Sequence, residues 1–207
     1  PAARVTFDFQ FLAREEAHRE AKAAIAQTAA ALVEAGESVV LDSGTTTLAV
    51  ARALKTRPVK TVITTSLPIA SELQYVAGLD LILLGGTLRR EAPDLAGPLT
   101  EANVEGLRAD VAFLGTDAVD AAGTATSASL ALARLIAKLA AAARRVYIVA
   151  DSSKLGRTAL ARVGTLKNWS GLITDRGAPP RLLAALRRAG VTVILPGGGN
   201  GRRGGRS

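Results

Sequence analysis

The sequence predicts an α/β domain, a mostly parallel sheet with helices on both faces. Two observations lead there. Short runs rich in β-branched residues alternate along the chain with Ala-rich stretches of helical period. Within those short runs successive residues are apolar, rather than every second one, which marks strands covered on both faces.

The elements follow in order. Arg4 to Leu12, with Phe7, Phe9 and Phe11 alternating, reads as a linker and first strand. Ala21, Ala24, Ile25, Thr28, Ala29 and Leu32 fall at helical spacing and predict a helix over 14–35, stopped by Gly36. Ser38–Leu41 is a buried strand, followed by a helix over about 46–54 and a strand over Thr61–Thr64. A helix over 68–76 leads to strand Leu79–Leu84, which ends in Gly85-Gly86. A short helix near 98–106 precedes strand Val111–Leu114, and a helix over 128–143 precedes strand Val146–Ala150. Strand Gly171–Thr174, helix 180–189 and strand Val191–Leu195 close a single domain over 1–195. The Gly- and Arg-rich tail 196–207 is expected to be disordered.

Composition narrows the chemistry. The 207 residues suit one such domain. With no cysteine there is no disulfide framework, thiolate metal site or Cys nucleophile. A single histidine, His18, excludes a His-cluster metal site and argues against a Ser-His-Asp triad. No cofactor is expected. No run approaches the length of a membrane span, and no signal peptide opens the chain, so a cytoplasmic protein with no membrane role is expected. The net charge of +8 suggests nucleic acid, but its distribution weakens that reading. Residues 176–207 carry seven Arg and no acid, whereas 1–175 carry 19 basic and 18 acidic side chains.

In parallel sheets ligands bind at the carboxyl ends of the strands. Five strand ends here are polar. Asp42-Ser43-Gly44-Thr45-Thr46-Thr47 follows a strand and opens a helix, so free N–H groups and clustered hydroxyls make a phosphate cradle, with a plain N-cap as the alternative. Gly44 reads as the tight-turn residue. Thr64-Thr65-Ser66 adds hydroxyls, although alone it suits a cap. Gly85-Gly86 allows close approach of a ligand or a backbone, and Arg89 follows as a candidate anion clamp or a solvated loop arginine. Asp117 and Asp120 are two carboxylates able to bind sugar hydroxyls or move protons. Asp151-Ser152-Ser153-Lys154 ends the fifth strand, where Lys154 is placed to meet a phosphate or carboxylate. Five such ends on one sheet edge predict a polyol-phosphate pocket.

These blocks, in this order, resemble the C-terminal effector-binding domain of DeoR-family transcriptional regulators. The matching residues run from Arg14 and Lys22–Ala26 through Leu41–Thr47, Val62–Ala70, Leu84–Arg89, Ala109–Gly115, Ala150–Gly156 and Leu172–Asp175. The resemblance covers about residues 4–176. It implies a fold similar to ribose-5-phosphate isomerase, itself Rossmann-like, and that comparison implies roles. Ser43, Gly44, Thr45 and Thr46, with Thr47 beside them, fall where the isomerase loop holds the substrate phosphate. Lys22 falls where a helix lysine approaches the same phosphate. Asp117 and Asp120 fall on the isomerase's acidic pair beside the sugar, and Lys154 on a substrate-contacting lysine. Asp42, Thr64, Ser66, Gly85, Gly86 and Arg89 complete the expected sugar side.

The departures are informative. Residues 121–131 contain no Glu and no Lys, where the isomerase carries its catalytic base. Moving a proton between two sugar carbons needs that base. A sensor is therefore favoured over an enzyme, with a sugar-phosphate isomerase as the alternative. Thr65 stands where the family usually has Asn, which points to an altered ligand. Family regulators carry an N-terminal winged helix-turn-helix, and this chain, which lacks an initiator Met, is expected to be a sensor domain cut from a longer regulator. The expected partners are a phosphorylated sugar effector, operator DNA through the absent domain, and further copies of the chain in a homo-oligomer.

Overall fold

The computed structural model describes residues 11–89 and 92–197. Seven strands form one parallel sheet: β1 (Ser38–Leu41), β2 (Thr61–Thr64), β3 (Asp80–Leu83), β6 (Ala109–Leu114), β9 (Ala143–Val149), β11 (Gly171–Ile173) and β12 (Val193–Ile194). Their order across the sheet is β12-β11-β9-β6-β1-β2-β3, and every neighbouring pair is parallel. The chain leaves β1 toward β2 on one side and later returns to place β6 on the other. The crevice outside the ends of β1 and β6 is therefore the topological switch point of the sheet.

Side-chain alternation divides the core between the two faces. Val39, Leu41, Val62, Val111, Phe113 and Val149 pack on one side with α1 (Arg19–Ala30), α2 (Thr45–Leu54) and α3 (Leu67–Leu73). Val40, Ile63, Ala112, Leu114, Val146 and Ile148 pack on the other with α4 (Pro98–Val104), α5 (Leu130–Ala141) and α6 (Pro180–Arg188). Val39, Val40 and Leu41 are all fully buried although they point to alternate faces. That is why the sequence shows an unbroken apolar run. Phe113 stacks on its cross-strand partner Tyr147, with ring centroids 5.7 Å apart.

Three features depart from the sequence reading. First, the expected 14–35 helix is two pieces. Residues 11–16 are helical, 17–18 form a turn, and α1 starts at Arg19. His18 adopts φ 57 and ψ 34, the one non-glycine left-handed residue among those described. The apolar residues at helical spacing begin at Ala21, inside α1, and residues 11–16, none of them fully buried, form no apolar face, so the spacing carries no information about the break. Second, Phe11 and Leu12 are helical rather than extended. The rest of the expected first strand, 4–10, lies outside the described residues, as do 198–207 of the expected tail. Third, small antiparallel pieces are added. β7 (Ala118–Val119), β8 (Thr124–Ser127) and β10 (Ala161–Thr165) form a three-stranded sheet, and β4 (Thr87–Leu88) pairs with β5 (Leu95–Ala96). They are short and rich in Thr, Ala and Gly, without the apolar runs that mark the main sheet.

Candidate functional site

A cavity of about 650 Å³ opens at the switch point. Its floor is the loop from β1 to α2. Gly44 sits at the N-cap of α2 with φ −170, so the loop does not need glycine for its backbone angle. Space is the constraint: a Cβ at Gly44 would lie 3.3 Å from Thr47 Oγ1. The Thr47 hydroxyl donates to the carbonyls of Asp42 and Gly44, both at 3.0 Å, and thereby fixes the loop from below.

No side chain caps α2. α1, which starts at His18 beside the same cavity, is likewise uncapped, whereas other helix starts nearby carry caps. Ser66 accepts from Ile69 N at the start of α3, Ser129 from Leu132 N at the start of α5, and Asp151 from Ser153 N at the turn after β9. The plain-cap alternative for residues 42–47 therefore fails, while it holds for Ser66. An uncapped helix end presents donor N–H groups and a positive dipole end to the cavity. Ser43, Thr45 and Thr46 line the cavity beside it.

Asp42, the last residue before that loop, is 2% exposed. Its Oδ2 accepts from Gly115 N at 2.9 Å, which ties the end of β1 to the end of β6. Its Oδ1 is buried and has no hydrogen-bond partner among the described residues. Burial raises its carboxyl from the usual 3.8 to about 7, opposed by the Gly115 N–H and the nearby Thr47 hydroxyl, and the charges of Asp94 and Asp117 add to the rise.

Two lysines approach from the sides. Lys22 of α1 is 6% exposed, and its Nζ donates to the carbonyls of Arg14 and, at 2.6 Å, Ala17. Burial lowers its pKa, with Asp151 opposing and Lys154 reinforcing the shift. Lys154 ends the 3-10 turn after β9 and lines the same cavity. Asp117 also lines it, its Oδ2 held by Ser127 Oγ at 2.9 Å and Ala128 N at 2.8 Å. Arg89 reaches the cavity while paired through two bonds with Asp94, at 2.6 and 2.7 Å.

The structure thus brings Lys22, Asp42, Ser43, Gly44, Thr45, Thr46, Thr47, Arg89, Asp117 and Lys154 to one cavity. Thr64, Ser66, Gly85, Gly86 and Asp120 do not line it, and each has another task. Thr64 Oγ1 accepts from Ser66 N, and Ser66 caps α3. Gly85 and Gly86 lie against α4: a Cβ at Gly86 would sit 1.8 Å from Thr100 Oγ1. The close approach that the glycine pair allows is to protein backbone and side chain rather than to the cavity. Asp120 Oδ1 accepts from Ala122 N and Thr124 N, which closes the turn between β7 and β8.

The sequence reading missed the roof. Phe11, Arg14, Ala17 and His18 line the cavity because the turn at 17–18 folds the first helical segment over it. It also missed Ser127, Ser129, Leu132 and Ile136, which come from β8 and α5. The only available signal was the hydroxyl-rich stretch Thr124–Ser129, which is shared with ordinary turns.

The family model described as the DeoR C terminal sensor domain matches residues 17–176. The chain belongs to the DeoR family. It is similar to the putative aga operon transcriptional repressor of Escherichia coli O157:H7, 34% identical over 85% of this chain and 65% of that relative. It is similar also to the HTH-type transcriptional regulator GlpR of Haloferax volcanii, 35% identical over 87% of this chain and 71% of the relative. The chain therefore spans about two thirds of the length of these curated relatives. Among solved structures, eIF2B delta from Chaetomium thermophilum matches with a TM-score of 0.54 at 19% identity, over 80% of this chain and 58% of that one. Ribose 5 phosphate isomerase A from Neisseria gonorrhoeae matches with a TM-score of 0.48 at 20% identity, over 65% and 52% of the two chains. The matched region is a DeoR-type sensor domain, built on a parallel-sheet α/β fold. Among the described residues no helix is long and apolar enough to cross a membrane.

Proposed function

We propose that the cavity binds a phosphorylated sugar or related metabolite, and that its occupancy sets the operator affinity of a DNA-binding region outside this chain. One observation carries the reading: α2 starts beside the cavity without a side-chain cap, and its bare end, unlike that of the equally uncapped α1, lies among clustered hydroxyls that line the cavity. A phosphate oxygen supplies what that end lacks. Lys22 and Lys154 add positive charge beside it.

Lys22 also suggests how binding is felt elsewhere. Its ammonium holds the carbonyls of Arg14 and Ala17, in the segment that roofs the cavity. A phosphate offers the ammonium a full negative charge, which a carbonyl does not. Recruitment of Lys22 to the phosphate loosens the roof, which is hinged at left-handed His18; the Arg52–Glu15 ion pair at 2.6 Å and Phe11, packed on the core, also hold it. A ligand shifts such an equilibrium only through its different affinity for the two arrangements.

The relatives are named as transcriptional regulators, and the cavity wall at Ser127-Ala128-Ser129 offers hydroxyls where an isomerase needs a base. We read the domain as a sensor rather than an enzyme, acting in the cytoplasm within a homo-oligomer. The test is calorimetric titration with matched phosphorylated and unphosphorylated aldoses and polyols. Binding is expected only with the phosphate present, weakened at least tenfold in Ser43→Ala and Lys154→Ala. Indifference to every phosphorylated compound refutes the sensor reading, and turnover of ribose 5-phosphate refutes the non-enzymatic one.

A further inference from the structure

We propose that Asp42 serves the cavity as a neutral carboxylic acid that donates its proton to an oxygen of the bound anion, so that anion and proton bind together. The inference rests on the phosphate reading of the cavity and adds the protonation state and direction of one hydrogen bond.

The geometry leads to it. Asp42 lines the cavity directly before the hydroxyl loop, yet it is 2% exposed. Gly115 N occupies Oδ2, and Oδ1 has no partner among the described residues. A buried polar atom without a partner is costly unless a ligand completes it. An ionised carboxylate there would place a negative charge against the anion that the uncapped helix end attracts. The protonated acid turns the same atom into a donor. The groups facing this position from other elements are mixed in sign. Asp94 and Asp117 raise the Asp42 pKa, in line with burial, which is the larger cause. Lys22, Lys154, Asp151 and His18 line the cavity walls, and Arg89 does so while paired with Asp94. Burial and the two acids thus keep the proton on Asp42 near neutrality despite the lysines.

Sulfate is the probe, because it stays a dianion across the range tested while phosphate titrates. The chain is titrated with sulfate between about pH 6 and 9, in buffers of different ionisation enthalpy, to count protons. Above the Asp42 pKa of about 7, affinity is expected to fall about tenfold per pH unit, with uptake approaching one proton per sulfate. Asp42→Asn is expected to bind sulfate with a flat pH profile and no uptake of that proton. Three results overturn the proposal: an affinity that rises with pH, as an ionised acceptor for a ligand hydroxyl would give; a flat wild-type profile; or a fall that persists in Asp42→Asn, which would assign it to Lys22 or His18. In each of these, sulfate binding that is still lost in Ser43→Ala leaves the phosphate reading standing. No binding of sulfate or of any phosphorylated sugar removes both. Should Asp42→Asn fail to fold, Lys22→Met and His18→Gln decide: the pH-dependent fall and the proton uptake are expected to persist in both, and their loss in either overturns the proposal.

Discussion

Replacing Asp42 by Asn should stabilise the empty domain at pH 8 and not at pH 4. The folded state raises the Asp42 carboxyl to about 7 from its usual 3.8. Between those values the folded chain holds a proton that the unfolded chain has released. Stability therefore falls as pH rises from about 4 to 7, and the loss is complete above 7. The gap between 3.8 and about 7 corresponds to about 4 kcal/mol at ~1.36 kcal/mol per pH unit. The carboxyl is only 2% exposed, so solvent screening takes little from that figure. Asn keeps an acceptor for Gly115 N, but its amide N–H groups enter the pocket without a partner, at a cost of about 1–3 kcal/mol. The net gain at pH 8 is thus about 1–3 kcal/mol, and at pH 4 the variant is the less stable chain. Urea melts in anion-free buffer at half-unit steps from pH 4 to 8.5 measure the difference. A wild-type-minus-variant difference that does not change across that range refutes the assignment of a raised pKa to this carboxyl.

Other substitutions test other parts of the argument. Gly86→Ala places a Cβ 1.8 Å from Thr100 Oγ1 at φ 152 and should destabilise by more than about 2 kcal/mol in urea, with no change in ligand preference if the glycine pair serves only packing. Arg89→Ala removes a two-bond partner from an Asp94 that is 1% exposed, and a loss of about 3 kcal/mol is expected; a loss below 1 kcal/mol would show that the pair is not structural. Ile82→Lys alters the unpaired edge strand β3, where Ile82 and Leu83 are about 40% exposed, and should lower the mass seen by light scattering; an unchanged mass excludes this edge from the oligomer interface.

The inner strands of the main sheet were legible because they bury both faces, whereas the edge strand β3, with its equally apolar run, is largely exposed. Ser38–Leu41 and Thr61–Thr64 appear in the structure with the bounds their apolar runs suggest. The loop after β1 was legible for a related reason: four hydroxyl residues in five, ahead of a helix, exceed what one cap uses. Asp120 could not be told from Asp117, since both are turn carboxylates and only the hairpin between β7 and β8 turns one inward and leaves the other at the cavity. The roof was illegible because a single left-handed residue, His18, redirects the chain, and the segment before it, 11–16, is largely exposed and shows no apolar period. Gly44 needs no left-handed turn, and a Cβ there would make only a tight 3.3 Å contact with Thr47 Oγ1.

Leu132 and Ile136 of α5 reach the cavity from the opposite side of the sheet to α1 and α2. The wall they form carries no charge and takes no part in holding the 42–47 loop. Selection can therefore act on it separately. Enlarging or trimming those two side chains reshapes the space left for the body of a ligand, while the anion-facing loop stays packed through Thr47. On the proposed reading, a lineage of such domains changes its ligand by repacking one helix and keeps the anion-facing loop intact.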